Sequence, residues 1–154
     1  PSRRNQSDYR DDTVMDFIRS EYFYCTICIQ KRQTNNLIIM SDLVKEFNDY
    51  RGKMNEKLLA DNNKIVKRIF NLDTNAYAEG ALDVKTKELL GLVASTVLRC
   101  DDCVKYHLET SYKEGVTKEE MMEAMGIATL VGGTIVVPHL RRAYEFWEAL
   151  EENK

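Results

Sequence analysis

Within eight residues the sequence places two thiols and an imidazole: Cys100, Cys103 and His107. The cysteines are three positions apart and the histidine is four beyond the second. On one helix, or on a turn feeding one, all three share a face. A Cys-x-x-Cys pair at a helix start can close a small disulfide, and the free N–H groups and dipole there favour a thiolate. An imidazole one turn further on can take the thiol proton or stabilise the anion left behind. A thiolate with a resolving thiol beside it is the minimum apparatus for disulfide exchange or peroxide reduction. The plain alternative is a pair of small buried residues. A second pair, Cys25 and Cys28, raises a four-cysteine zinc site, but 71 residues separate the pairs where such sites usually leave about 15–20. Zinc is therefore the weaker reading, and neither a metal nor a tightly bound organic cofactor is implied.

The elements that must position these groups read as helices. Leu43, Val44, Phe47, Tyr50, Met54 and Leu58 recur at spacings of three and four, as one buried helix face requires. Ile65, Val66, Ile69, Phe70 and Leu72 predict a second helix ending before the 75–80 stretch. Asp83 is a candidate N-cap for a helix through Val97 that is apolar on most sides after Glu88, and so is expected to be central. A break near Arg99–Asp102 then leads to a helix from about Cys103 to Glu114, stopped by Gly115. Thr117 and Glu120 have the spacing of a capping box, and the helix they open carries Met121, Met122, Met125, Ile127, Leu130 and Val131 as a core stripe. Gly132 and Gly133 interrupt it. A last helix runs toward Leu150, with Pro138 near its start as a potential kink. His139 reads as a packing or surface residue, with a secondary site role as the alternative.

Residues 1–39 differ from the rest. Their polar opening and the aperiodic run from Phe23 to Met40 suggest a leader or extension before a domain spanning 40–154. An ordinary N-terminal helix over Asp12–Ile29 is the alternative. The whole has 154 residues, 44% hydrophobic and 31% charged, with two prolines and seven glycines. That scarcity of turn-formers argues against a many-stranded sandwich and for an all-α, single-domain helical bundle. A net charge of −3 offers no general attraction to nucleic acid or anionic lipid. No apolar run nears the roughly 20 residues that span a bilayer, and no secretory signal opens the chain. Four cysteines are too few for a disulfide scaffold, so a reducing, cytoplasmic setting is expected.

The spacing Glu88-x11-Cys100-x2-Cys103-x3-His107, preceded by Lys85-Thr-Lys-Glu-Leu89 and followed by Gly126-Ile-Ala-Thr-Leu-Val-Gly-Gly133, resembles the carboxymuconolactone decarboxylase superfamily, in its alkylhydroperoxidase D-like branch. The resemblance covers roughly residues 78–148. It implies an all-α fold whose subunits assemble as trimers or hexamers. It also implies reduction of organic hydroperoxides through the cysteine pair, recharged by a lipoyl or thioredoxin-like dithiol donor. By the same resemblance Cys103 is the peroxidatic cysteine, Cys100 the resolving one, His107 the activating histidine and Glu88 the carboxylate ending a proton relay. Local physics alone reads Glu88 only as a first-turn helix glutamate. Members of the branch often carry a second histidine just before the second cysteine. Here that position is Asp102, following Asp101, and two carboxylates beside a thiol oppose thiolate formation. The rival functions are a lyase acting on a small lactone acid and a non-catalytic, redox-sensing oligomer.

Overall fold

The computed structural model describes the backbone of residues 26–153 and side chains from Leu43 onward. The chain divides into two units, 1–35 and 36–154. Of the first, only the stretch from Thr26 lies among the described residues, and it is helical. The expected helix over Asp12–Ile29 falls almost wholly outside them, as does Cys25. The described residues form helices and turns with no strand: α1 (Thr26–Ala60), α2 (Lys64–Tyr77), α3 (Val84–Val97), α4 (Asp101–Lys113), α5 (Lys118–Gly132), a 3₁₀ turn (Thr134–Val136) and α6 (Val137–Glu152). None of these helices is long and apolar enough to cross a membrane.

Helix α3 packs against both α4 and α5, and α4 lies against α6. Their shared core holds Leu92, Val104, Leu108, Met121, Met125, Phe146 and Trp147, all essentially sealed from solvent. Phe47 of α1 closes one side, with its ring edge-on to Phe146 at 5.6 Å. Polar ties fix the helices to one another: Asn48 donates to Glu109 at 3.0 Å, and Lys85 pairs with Glu120 at 2.8 Å. The capping box at Thr117 and Glu120 is present in both directions, and Asp83 caps α3 through the Thr86 N–H at 2.7 Å.

Four local expectations shift. The aperiodic run before Met40 is helical from Thr26, and α1 continues through Met40 without a break. Helix α2 runs on to Tyr77 because Thr74 and Asn75 turn their side chains back onto the carbonyls of Phe70 and Asn71 rather than ending the helix. Of the expected core stripe on α5 only Met121 and Met125 are buried, whereas Ile127, Leu130 and Val131 face outward. Pro138 produces no kink: it sits in the first turn of α6, where its missing N–H has no intrahelical partner to lose. The start of that helix is set by Gly132, where a Cβ would come 2.6 Å from Val136 Cγ1, and by Gly133, whose φ of 73° favours glycine.

Candidate functional site

The turn between α3 and α4 decides where the thiols sit. Arg99 adopts φ 61°, a left-handed conformation usual for glycine and strained for an arginine. Around it, the Arg99 N–H donates to the Thr96 carbonyl and the Cys100 N–H to the Ser95 carbonyl, each at 3.0 Å. This is the Schellman pattern that ends a helix, and it delivers Cys100 directly to the N-cap of α4. There its sulfur accepts the Cys103 N–H at 3.4 Å. Helix α4 accordingly starts two residues earlier than its expected beginning at Cys103. Asp101 and Asp102 occupy its first turn, where the dipole favours carboxylates. Cys100 and Cys103 are joined as a disulfide, with 5.3 Å between Cα atoms.

One turn along α4, His107 is buried between two tyrosine rings, Tyr106 at 5.3 Å and Tyr77 at 5.1 Å between centroids. Its Nδ1 lies 2.7 Å from Oε2 of Glu88, a carboxylate only 1% exposed. With the proton on Nδ1, the ring donates to that carboxylate and leaves the Nε2 lone pair free. The Tyr77 hydroxyl lies 3.5 Å from Nε2. Burial, and then the nearby Glu88, Asp73 and Tyr106, push the Tyr77 hydroxyl up from its ordinary value, so it stays protonated and able to donate at neutral pH. Lys87 holds this tyrosine in place by donating to the carbonyls of Ala76 and Ala78 on either side of it. Gly91 makes the room: a Cβ there would lie 2.6 Å from His107 Cε1 and 2.6 Å from the Tyr77 hydroxyl.

A cleft of about 320 Å³ opens beside these groups, lined by Phe47, Tyr50, Met54, Asp102, Cys103 and His107 among others. Arg51 flanks it, with its guanidinium 3.9 Å above the Tyr106 ring. Cys103 and His107 both line the cleft, whereas Cys100 does not. The four residues singled out in the sequence thus lie together, with Glu88 reaching the cluster through His107. Tyr77, Lys87 and Gly91 join them; Lys87 falls inside the Lys85–Leu89 motif, which gave it no role, and no motif pointed to the other two. A lysine and a glycine within a helix, and a tyrosine at the end of another, carry no signal until the helices are packed.

Asp101, expected to oppose the thiols by its charge, is paired with two side chains of α6. Its carboxylate accepts from His139 Nδ1 at 2.7 Å and from Arg142 Nε at 3.0 Å. His139, read from the sequence as a packing or surface residue, is therefore bonded to the helix that carries the cysteines. Burial pushes the Asp101 carboxyl up, but the bonds from His139 and Arg142 together outweigh it and hold it below its ordinary value. Among the described residues, no group of three or more His, Cys, Asp or Glu side chains is placed to hold a metal ion.

Fold and site together define an all-helical protein with a dithiol pair at a helix N-terminus, next to a buried histidine–carboxylate pair. The chain belongs to the carboxymuconolactone decarboxylase family, in its AhpD-like branch: the family model matches residues 63–146. A crystal structure of a carboxymuconolactone decarboxylase family protein from Thermotoga maritima is similar at TM-score 0.67 and 56% identity, over 70% of this chain and 91% of that one. Protein 4 of the cox locus of Paracoccus denitrificans is 33% identical over 67 residues, 44% of this chain and 60% of that protein. Alkyl hydroperoxide reductase AhpD of Corynebacterium kroppenstedtii is 39% identical over 62 residues, 40% of this chain and 36% of the reductase. The chain spans less than two thirds of the length of these last two relatives.

Proposed function

We propose that this protein is a thiol-dependent peroxidase that reduces organic hydroperoxides through Cys103 and Cys100. The observation that supports it most is a cleft onto which both Cys103 and His107 open, with the buried Glu88 bonded to the far side of the imidazole. In the reduced protein His107 Nε2 takes the Cys103 proton, and Glu88 stabilises the resulting imidazolium. The thiolate attacks the terminal oxygen of the hydroperoxide; the O–O bond breaks, Cys103 becomes a sulfenic acid, and the alkoxide leaves as an alcohol with the proton from His107. The Cys100 thiol then attacks the Cys103 sulfur, hydroxide leaves with the Cys100 proton as water, and the disulfide closes. A dithiol donor, lipoyl or thioredoxin-like, reopens it by attacking Cys103 from the cleft, and the donor's second thiol then displaces Cys103 and leaves the donor as a disulfide. Cys100 departs as a thiolate at the α4 N-cap, where the Cys103 N–H and the helix dipole make it a good leaving group.

Assembly as a homo-oligomer, a trimer or a hexamer, belongs to the same proposal. Leu90 of α3 and Ile127, Leu130 and Val131 of α5 expose large apolar side chains, Leu130 to 85%. A second copy of the chain is the partner that would cover them.

The test is consumption of cumene hydroperoxide by the reduced protein, with dihydrolipoamide or thioredoxin as donor, against a Cys103→Ser variant. Turnover that vanishes in the variant is the expected result. A disulfide that opens and closes without peroxide turnover would leave a redox-sensing oligomer and end the peroxidase reading.

A further inference from the structure

Helix α6 reaches the first turn of the cysteine helix through His139 and Arg142, which share one face at a spacing of three. They take both oxygens of Asp101, at 2.7 Å to Oδ1 and 3.0 Å to Oδ2. Arg142 Nη2 also lies 3.0 Å from His139 Nδ1. A neutral histidine can serve only one of these bonds from Nδ1 at a time. With its proton toward Asp101, the ring donates to the carboxylate while the guanidinium holds the other oxygen. Asp101 directly follows Cys100 and precedes Cys103 by two, so its charge is carried by the same first turn as the two cysteines. Unpaired, that charge would oppose a thiolate at either cysteine by like-charge repulsion. Paired with Arg142 it is cancelled, and the helix N-terminus is left to favour the thiolates. Asp102 has no such clasp and lines the cleft.

We propose that His139 and Arg142 are positioning residues that hold and neutralise Asp101, and thereby set the thiolate fraction and redox potential of the Cys100–Cys103 pair. The proposal rests on the reading of these cysteines as a working dithiol. It is independent of what the thiols attack. The clasp links α6, which carries none of the four expected site residues, to the reactivity of α4. A side chain about 40 residues away in another element can then tune the dithiol without entering the cleft.

The experiment is iodoacetamide alkylation of the fully reduced protein across pH, with Cys100 and Cys103 followed separately by peptide mass spectrometry so that Cys25 and Cys28 do not intrude. Arg142→Gln should slow alkylation at pH 7 by roughly threefold or more and move the profile to higher pH. Asp101→Asn should speed it relative to the wild type, since Arg142 is left without its counter-charge. The double variant should return close to the wild-type rate. In parallel, the disulfide of Arg142→Gln should become less oxidising. A threefold change in the equilibrium constant corresponds to about 14 mV for two electrons. His139→Gln, which can still donate one bond to Asp101, should lie between wild type and Arg142→Gln. Both the alkylation and the potential are read without peroxide, so failure of peroxidase activity would leave them intact. Unchanged profiles in Arg142→Gln, or a double variant that stays as slow as the single one, would overturn the proposal and reduce the clasp to a packing contact.

Discussion

Gly91→Ala changes one hydrogen to a methyl group at the point where α3 meets the site. The added carbon would lie 2.6 Å from His107 Cε1, 2.8 Å from Nε2 and 2.6 Å from the Tyr77 hydroxyl. Carbon contacts settle near ~3.5–4.0 Å, so the ring and the hydroxyl must retreat by about 1 Å. His107 is buried between two tyrosines, and a retreat of that size stretches its 2.7 Å bond to Glu88 beyond hydrogen-bonding range. Overpacking of this kind costs roughly 1–3 kcal/mol, and part of a buried hydrogen bond to a carboxylate is lost with it. Against this stands the helix preference for alanine over glycine, at most ~1 kcal/mol. Net destabilisation of about 1–3 kcal/mol follows. Gly52→Ala supplies the control, since nothing lies within 4 Å of a Cβ there and only the helical gain of roughly 0.5–1 kcal/mol remains. Urea midpoints at one protein concentration separate the two, provided m is unchanged. Misplacement of His107 by this distance should also cut peroxide turnover at least tenfold, within the ~10²-fold that 1 Å can cost. A Gly91→Ala protein as stable and as active as Gly52→Ala would refute both the packing argument and the role of His107.

Glu88→Gln keeps the shape of the buried side chain and removes its charge; turnover should fall at least tenfold, within the ~10²–10⁴-fold range of general acid–base help, while a strong oxidant still closes the Cys100–Cys103 disulfide. Full activity in that variant would remove Glu88 from the mechanism. Light scattering at micromolar concentration should show a trimer or larger, and Leu130→Glu, which puts a charge on the most exposed of the apolar side chains, should reduce it; an unchanged assembly would place the interface elsewhere. Asp101, held below its ordinary value of 3.8, stabilises the fold while ionised. That contribution is present above the unfolded carboxyl's value and fades as pH falls through the lower folded one. Thermal melts of Asp101→Asn should therefore fall below wild type at pH 6, with the gap closing in acid; a gap constant down to pH 2 would contradict the bond pattern.

The sequence made the helices legible where a local device repeats a known pattern. Asp83, Thr117 with Glu120, and Gly115 mark helix ends by side-chain caps or by a glycine past the last turn, and each falls where the spacing put it. The end of α3 is of the same kind, yet its left-handed residue is Arg99. Without glycine, the Schellman turn was visible only as a break, and the helix after it was placed two residues late. The apolar stripe of α5 misled for a different reason. Periodicity marks an apolar face and says nothing of what lies against it, so residues such as Leu130 read as core although the described helices leave them open.

Cys100, Cys103 and His107 were legible because all three share one helix, where spacing fixes geometry. Glu88 was found only by resemblance, since its bond to His107 crosses from α3 to α4. The residues that escaped notice all act across elements. Gly91 matters through the ring that faces it, Lys87 through carbonyls at the end of α2 and just past it, and Arg142 through a carboxylate on α4. Asp101 is the sharpest case, because the sequence gives its charge and hides the groups that pair with it. Two adjacent aspartates predict a repelled thiolate, but a carboxylate acts through its net field, and His139 and Arg142 lie 38 and 41 positions further along the chain. The partners of a charge in a short motif thus lie where no local window contains them. Only the Asp102 carboxylate is left to oppose the thiol from within the motif itself.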